Sequence, residues 1–316
     1  MHRGACFSAP GGLGLDPAFD RSPPARPGIL LPVAEGIRRI IANNPGPFTF
    51  TGTCTYVVGT GEVSVIDPGP EDAAHIEALL LALRNERIAR ILVTHTHRDH
   101  SPGARLLAER TGAAILGCAP HRASREALDS EAPRLDASAD LDHAPDRVLA
   151  EGERIEGDGH AFSVIETPGH TANHLAFALE GTGMMFSGDH VMGWSTSIVA
   201  PPDGAMSAYL ASLDKLVARE DDRAYWPGHG GPVADPRRFT RALLGHRRQR
   251  EMQILDVLGR GPARIPQLVA ANYQGLDPRL VGAAGLSTFA HLEDLVARGL
   301  VMADGPVTLE ALYSRA

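Results

Sequence analysis

The sequence predicts an α/β domain followed by a small domain of helices closed by a hairpin. Three observations point there. Over residues 29–240, short β-branched runs end at glycine-containing turns, and several of those turns carry a histidine or an aspartate. Between them lie stretches with helical apolar spacing, such as Ile76, Leu79, Leu80 and Leu83. After Arg237 the composition changes, and helical patterns lead to one last hairpin.

In chain order, residues 1–28 are rich in Pro, Gly and Ala and read as a loosely ordered lead-in. Apolar runs at Ile29-Leu30-Leu31 and Ile40-Ile41 read as strands before the turn Asn43-Asn44-Pro45-Gly46-Pro47. Residues 53–59 and 62–67 predict a hairpin around Thr60-Gly61. A helix is expected over 71–87, a buried strand over 90–94, a helix through Leu106 and Leu107, and a strand over 113–117. Residues 119–145 are polar, charged and proline-broken, as an irregular region or lid beside a cleft would be. Strand signals return at 147–149, at 154–155, and at Phe162, Val164 and Ile165. No convincing internal repeat is present.

The densest chemistry lies at Thr94-His95-Thr96-His97-Arg98-Asp99-His100, which gathers three imidazoles and a carboxylate. Neutral nitrogen and hard oxygen donors packed this closely suit metal binding. A strand could not aim all four side chains at one point, because alternate residues face opposite sides, but a strand-to-helix turn can. Further donors follow later strands: His170 in Thr167-Pro168-Gly169-His170, Asp189 in Phe186-Ser187-Gly188-Asp189, and His229 in Trp226-Pro227-Gly228-His229. Upstream, Asp67 ends the run Val63-Ser64-Val65-Ile66. His174 and His190 are weaker candidates. His174 reads as a structural hydrogen-bond partner at the start of a strand, and His190 should face away from Asp189.

This ordered set, Asp67, His95-x-His97-x-Asp99-His100, His170, Asp189 and His229, resembles the metallo-β-lactamase superfamily over residues 29–240. The resemblance implies a four-layer αββα sandwich with metals at one edge. It further implies one metal on His95, His97 and His170, a second on Asp99, His100 and His229, and Asp189 bridging both. Asp99 and Asp67 are the carboxylates expected to serve the chemistry, Asp67 by orienting ligands. Two divalent ions, zinc first with manganese or iron as alternatives, would hold a bridging water acidified towards neutrality. The stretch from Asn44 to Tyr56 resembles the branch containing the β-lactamase-like protein 2 group, which usually has Gly-Thr-Asn-Thr-Tyr where Cys54 interrupts the pattern here.

Composition sets limits. The chain has 316 residues, which suits one large and one small domain, and its 43% hydrophobic content supports a core. A net charge of −8 argues against a surface built wholly for nucleic acid and against a polybasic membrane binder. The cysteines Cys6, Cys54 and Cys118 show no metal spacing and read as reduced thiols of a cytoplasmic protein. No signal peptide or membrane span is apparent.

Beyond the catalytic part, residues 246–258, 265–271 and a stretch holding Leu286, Phe289, Leu292 and Leu295 predict three helices. Residues 300–303 and 307–309 predict a hairpin around Asp304-Gly305-Pro306. That order is a winged helix over 241–316, which also resembles the module following the catalytic domain in the same branch. Its third helix is acidic rather than basic, unlike a groove reader. Seven arginines between Arg237 and Arg260, against Glu251 and Asp256, could steer an anionic substrate or form a solvated face.

The reading is a metal-dependent hydrolase acting on a small ester, thioester or lactone, with a small-molecule substrate favoured over RNA, no membrane partner, and a homo-oligomer compatible with the sequence. The alternatives are a metal-dependent endoribonuclease or phosphodiesterase and a mononuclear-iron dioxygenase. The loop Trp194-Ser195-Thr196-Ser197 is expected to line the cleft.

Overall fold

The computed structural model describes residues 17–23, 25–128 and 138–316. A seven-stranded sheet runs in sequence order: β1 (Leu31–Ala34), β2 (Ile37–Ile41), β3 (Cys54–Thr60), β4 (Glu62–Ile66), β5 (Arg87–Val93), β6 (Ala114–Gly117) and β7 (Arg147–Val148). The first four pair antiparallel and β4 to β7 pair parallel. Helices α1 (Ala73–Ala82) and α2 (Pro102–Thr111) make the crossovers. A second sheet has the order β12-β11-β10-β9-β8, formed by β8 (Arg154–Glu156), β9 (Ala161–Glu166), β10 (Leu175–Leu179), β11 (Met184–Gly188) and β12 (Ala224–Pro227).

Alternation of side chains along the strands builds the layers. On β9 and β10, Phe162, Val164, Leu175 and Phe177 join the core shared with the first sheet, where Phe186 meets Tyr56 at 5.1 Å. Ile165, Ala176 and Ala178 face the other way, onto α3 (Met206–Val217) and α4 (Pro236–Gly259). The four layers are therefore helices, sheet, sheet, helices.

Several expected boundaries move. The helix expected over 71–87 ends at Ala82, because Arg87 already pairs with Glu62 across the sheet. The helix expected from 246 starts at Pro236, where the Asp235 side chain accepts the Arg238 N–H. It runs unbroken through the expected boundary at 240, with Leu243 and Leu244 in the core under the second sheet and Ile254 and Leu258 in the C-terminal one. Helices α5 (Ile265–Asn272) and α6 (Val281–Ala297) follow, then β13 (Val301–Ala303) paired with β14 (Tyr313–Arg315). The second hairpin strand is thus not 307–309, since Val307 and Leu309 pack sideways against the small core instead.

Of the lead-in, Phe19 sits edge-on to Phe239 at 5.9 Å, so this part is docked; Cys6 lies outside the described residues. Within the expected irregular region, residues 129–137 are likewise outside them, while 138–140 run beside the His97 turn through Arg98 N–H to Ser138 O and Asp140 N–H to Thr96 O. No helix among the described residues is long and apolar enough to cross a membrane.

Candidate metal centre

All seven expected donors meet at one edge, where β5, β9, β11 and β12 end. His95, His97 and His170 form one group and Asp99, His100 and His229 another, with the donor atoms of each group within 4.8 Å of one another. Asp189 spans the two, its Oδ2 lying 3.2 Å from His229 Nε2 and 3.7 Å from His170 Nε2.

The outward ring nitrogens fix the tautomers. Thr94 Oγ1 donates to Asp67 Oδ2 at 2.7 Å, so it must accept from His95 Nδ1 at 2.9 Å. His100 Nδ1 donates to Asp67 Oδ2 at 3.0 Å, His97 Nε2 to Asp203 Oδ2 at 2.9 Å, His170 Nδ1 to Ile198 O at 2.6 Å, and His229 Nδ1 to Gly52 O at 3.3 Å. Every inward nitrogen of the neutral rings then carries a lone pair. His97 Nδ1 stands 3.2 Å from His95 Nε2 and 3.0 Å from His170 Nε2, and the Nε2 atoms of His100 and His229 are 3.3 Å apart. Lone pairs and carboxylate oxygens this close repel unless protons or a metal ion lie among them.

Asp67, His95 and His100 also cluster. Asp67 is nonetheless spent on its neighbours, with Oδ1 taking the Thr94 N–H and Oδ2 taking Thr94 Oγ1 and His100 Nδ1. Its φ of +47°, sparsely populated for a residue other than glycine, is what turns the carboxylate back under the histidines. At Gly228 a Cβ would lie 2.4 Å from Asp189 Oδ1 and 2.5 Å from His100 Cε1, so only glycine lets this strand end approach the donors.

Charge divides the donors, though not wholly along the two groups: burial would lower His97, but Asp203, with Asp99 and Asp189 behind it, outweighs burial and raises the ring. Burial pushes His95 well below its ordinary value and His170 down to about 4, with neighbouring imidazoles adding to both shifts. Burial would also lower His229, but Asp189 and Asp99 outweigh it and hold the ring up at about 9. His100 is raised in the same way. Asp99 and Asp189 resist burial and stay well below the carboxylate range because His100 and His229 face them. Asp189 Oδ1 is buried with no hydrogen-bond partner among the described residues.

Three contributors were not singled out from sequence. Asp203 grips His97. Thr53 Oγ1 donates to Asp99 Oδ2 at 3.0 Å, and Asn44 holds Thr53 through Nδ2 to Oγ1 at 3.0 Å and through Oδ1 from the Thr53 N–H at 2.9 Å. Cys54 lies buried away from the cleft, its Sγ 3.7 Å from Gly230 O, and burial pushes its thiol up. As expected, His174 takes a structural position, with Nδ1 to Thr167 Oγ1 at 2.8 Å and Nε2 accepting the Asp189 N–H at 3.1 Å.

A cavity of about 570 Å³ opens over the donors. The expectation for the 194–197 loop fails here, because none of those residues lines it. Trp194 stacks on Phe50 at 5.0 Å and Ser197 turns inward to His190 O at 2.9 Å. Met192 and Ile198 line the cavity instead.

Residues 48–229 match the metallo-beta-lactamase superfamily, and residues 265–306 match the beta-lactamase associated winged helix domain. The chain is 32% identical over 233 residues to a beta-lactamase-like protein 2 homolog of Caenorhabditis elegans, covering 72% of each. It is 29% identical over 231 residues to an atrochrysone carboxyl ACP thioesterase of Claviceps purpurea, covering 72% of this chain and 67% of that one. A metallo-beta-lactamase family protein of Thermus thermophilus superposes with a TM-score of 0.72 at 26% identity, covering 90% of this chain and 99% of the other.

Proposed function

The chain belongs to the metallo-beta-lactamase superfamily, and from that premise we propose that it uses two divalent metal ions, zinc first among them, to hydrolyse a small thioester, ester or lactone. One observation carries the two-ion reading: two groups of inward-facing donors, each with its outward nitrogens already bonded, joined by Asp189. His95, His97 and His170 would hold one ion, Asp99, His100 and His229 the other, and Asp189 would touch both. Bound there, the ions would supply an acidified water as nucleophile and a Lewis acid for the carbonyl.

The protein's own part is to hold that constellation rigid. Asp67 anchors one ring in each group, directly at His100 and through Thr94 at His95. Thr53 aims Asp99, and Asp203 aims His97. Buried Cys54 offers no competing nucleophile.

A thioester stands first in this reading because relatives such as the Claviceps protein are named thioesterases. RNA is disfavoured because five of the seven arginines of 237–260 are engaged within the protein. Arg247 bonds Ser197 O, Arg250 lies 4.0 Å from the Tyr273 ring, and Arg237, Arg248 and Arg260 pair with Glu220, Asp214 and Asp256. The test is a panel of thioesters, lactones, phosphodiesters and RNA offered to protein whose metal content has been measured. Turnover confined to carbonyl substrates is expected, and salt-sensitive RNA cleavage lost in Asp99→Ala would overturn the assignment.

A further inference from the structure

The cavity over the metal donors is not made by the catalytic domain alone. Its lining includes Ala283 and Leu286, at the amino-terminal end of α6 in the C-terminal domain. That helix packs directly against the catalytic domain. Glu293 pairs with Arg125 at 2.6 Å, the Arg125 guanidinium lies 5.9 Å from the Phe289 ring, and Ala290 belongs to the core under the second sheet. The loop carrying Ile198 is held on the other flank, where its carbonyl accepts from His170.

The wall so formed is apolar. Leu286 and Ala283 join Phe48, Met192, Ile198 and Pro201. Arg98 is the one arginine or lysine among the described lining residues, and Asp99, Asp189 and Asp203 already face histidines. A volume of about 570 Å³ far exceeds what ions and a water need, a water's share being roughly 30 Å³. It falls in the range of pockets that enclose an organic ligand, roughly 300–1,000 Å³.

We propose that the C-terminal domain measures the substrate's acyl group, with Leu286 and Ala283 forming the wall against which an apolar acyl chain ends. This rests on the thioester reading above. The chain gains by leaving water for Leu286, Ile198 and Met192, so each methylene adds to kcat/KM until the wall is reached and then subtracts.

The test uses the full-length, metal-loaded protein and N-acetylcysteamine thioesters from acetyl to dodecanoyl, beside matching non-hydrolysable thioethers for binding by calorimetry. In the wild type, kcat/KM should rise roughly fourfold per methylene to an optimum and then fall. Leu286→Trp should move the optimum to shorter chains, lowering the octanoyl-to-acetyl ratio about tenfold or more, and Leu286→Ala should move it to longer ones. Thioether affinities should move in parallel. The Ala variant, checked by its melt, keeps the test open should Trp prevent folding. Hydrolysis with one unchanged length profile in wild type and variants would overturn the proposal. If no thioester is turned over while thioether affinity still follows chain length and Leu286, the thioester reading fails and the wall stands.

Discussion

His97 reaches Asp203 across 106 positions of sequence, Nε2 to Oδ2 at 2.9 Å. The bond fixes which nitrogen of His97 faces the other donors, since Nε2–H is given to the carboxylate and Nδ1 is left inward. Asp203 is itself buried, on the loop after Pro201-Pro202. Replacing Asp203 by Ala should therefore cost roughly 10–100-fold in affinity for one metal ion. Competition against a chelator measures this without recourse to turnover. Affinity equal to wild type would show that His97 needs no such anchor.

Asp189 differs from Asp99 in touching both groups. Asp189→Ala should lower metal content at both positions, whereas Asp99→Ala should chiefly empty the one shared with His100 and His229. Elemental analysis after dialysis distinguishes them, from a starting level of about two ions per chain. Full occupancy and activity in Asp189→Ala would remove the bridging role.

Most of this centre was legible in the sequence because each donor sits beside a local signal. His95 to His100 follow β5 directly, and Asp189 and His229 each come one or two residues after a strand and next to glycine. Asp203 had no such signal, since Pro-Pro-Asp-Gly reads as an ordinary turn and its partner is set by the meeting of distant loops. Thr53 was hidden for a similar reason. A threonine at a strand start is common, and only the packing of β3 beside β12, with Cys54 N–H on Gly228 O at 2.7 Å, brings it to Asp99. The start of α4 was misplaced because its first turns bury Leu243 and Leu244 against the sheet, so the change in composition does not coincide with the helix end.

Metal uptake should be coupled to protons unequally. In the metal-free protein His229 sits at about 9 and His100 is raised too, while His170 is at about 4 and His95 lower than ordinary. Near neutral pH an ion entering beside His100 and His229 must displace protons from two raised rings, whereas in the other group only His97 is raised, by Asp203. Calorimetry in buffers of different ionisation enthalpy should show the greater proton release for that ion. The same raised value stabilises the metal-free fold fully below roughly pH 6.5 and is lost as pH rises through about 9. Its contribution to the metal-free melt should decline over that window, and His229→Gln should flatten the decline.

Cys54→Ser should leave turnover within about twofold, because the thiol is buried outside the cavity. The short link from β3 to the His229 turn is the backbone one, Cys54 N–H to Gly228 O at 2.7 Å, beside which the sulfur makes only a longer contact to Gly230 O. Any loss should appear as stability, roughly 1–3 kcal/mol for a hydroxyl placed in an apolar site. Loss of catalysis at unchanged stability would point to a role for the sulfur.

The arginines of α4 give the last prediction, because they separate a structural from a substrate role. Arg247 is buried, donates to Ser197 O, and lies 5.2 Å from the Tyr209 ring. Arg248, one residue on, is exposed and stands 3.6 Å from Asp214. Arg247→Met should destabilise the fold by roughly 2–4 kcal/mol, through the lost ring contact and an unpaired buried carbonyl. It should also disturb the Ser197–Ile198 loop that holds His170. Arg248→Glu should change stability by only about 0.5 kcal/mol and leave turnover of a neutral substrate untouched. Denaturant melts paired with kinetics at two salt concentrations decide it. If Arg248→Glu instead raised KM and removed a salt dependence, this face would be binding a polyanion, and the helix would belong to substrate recognition rather than to packing.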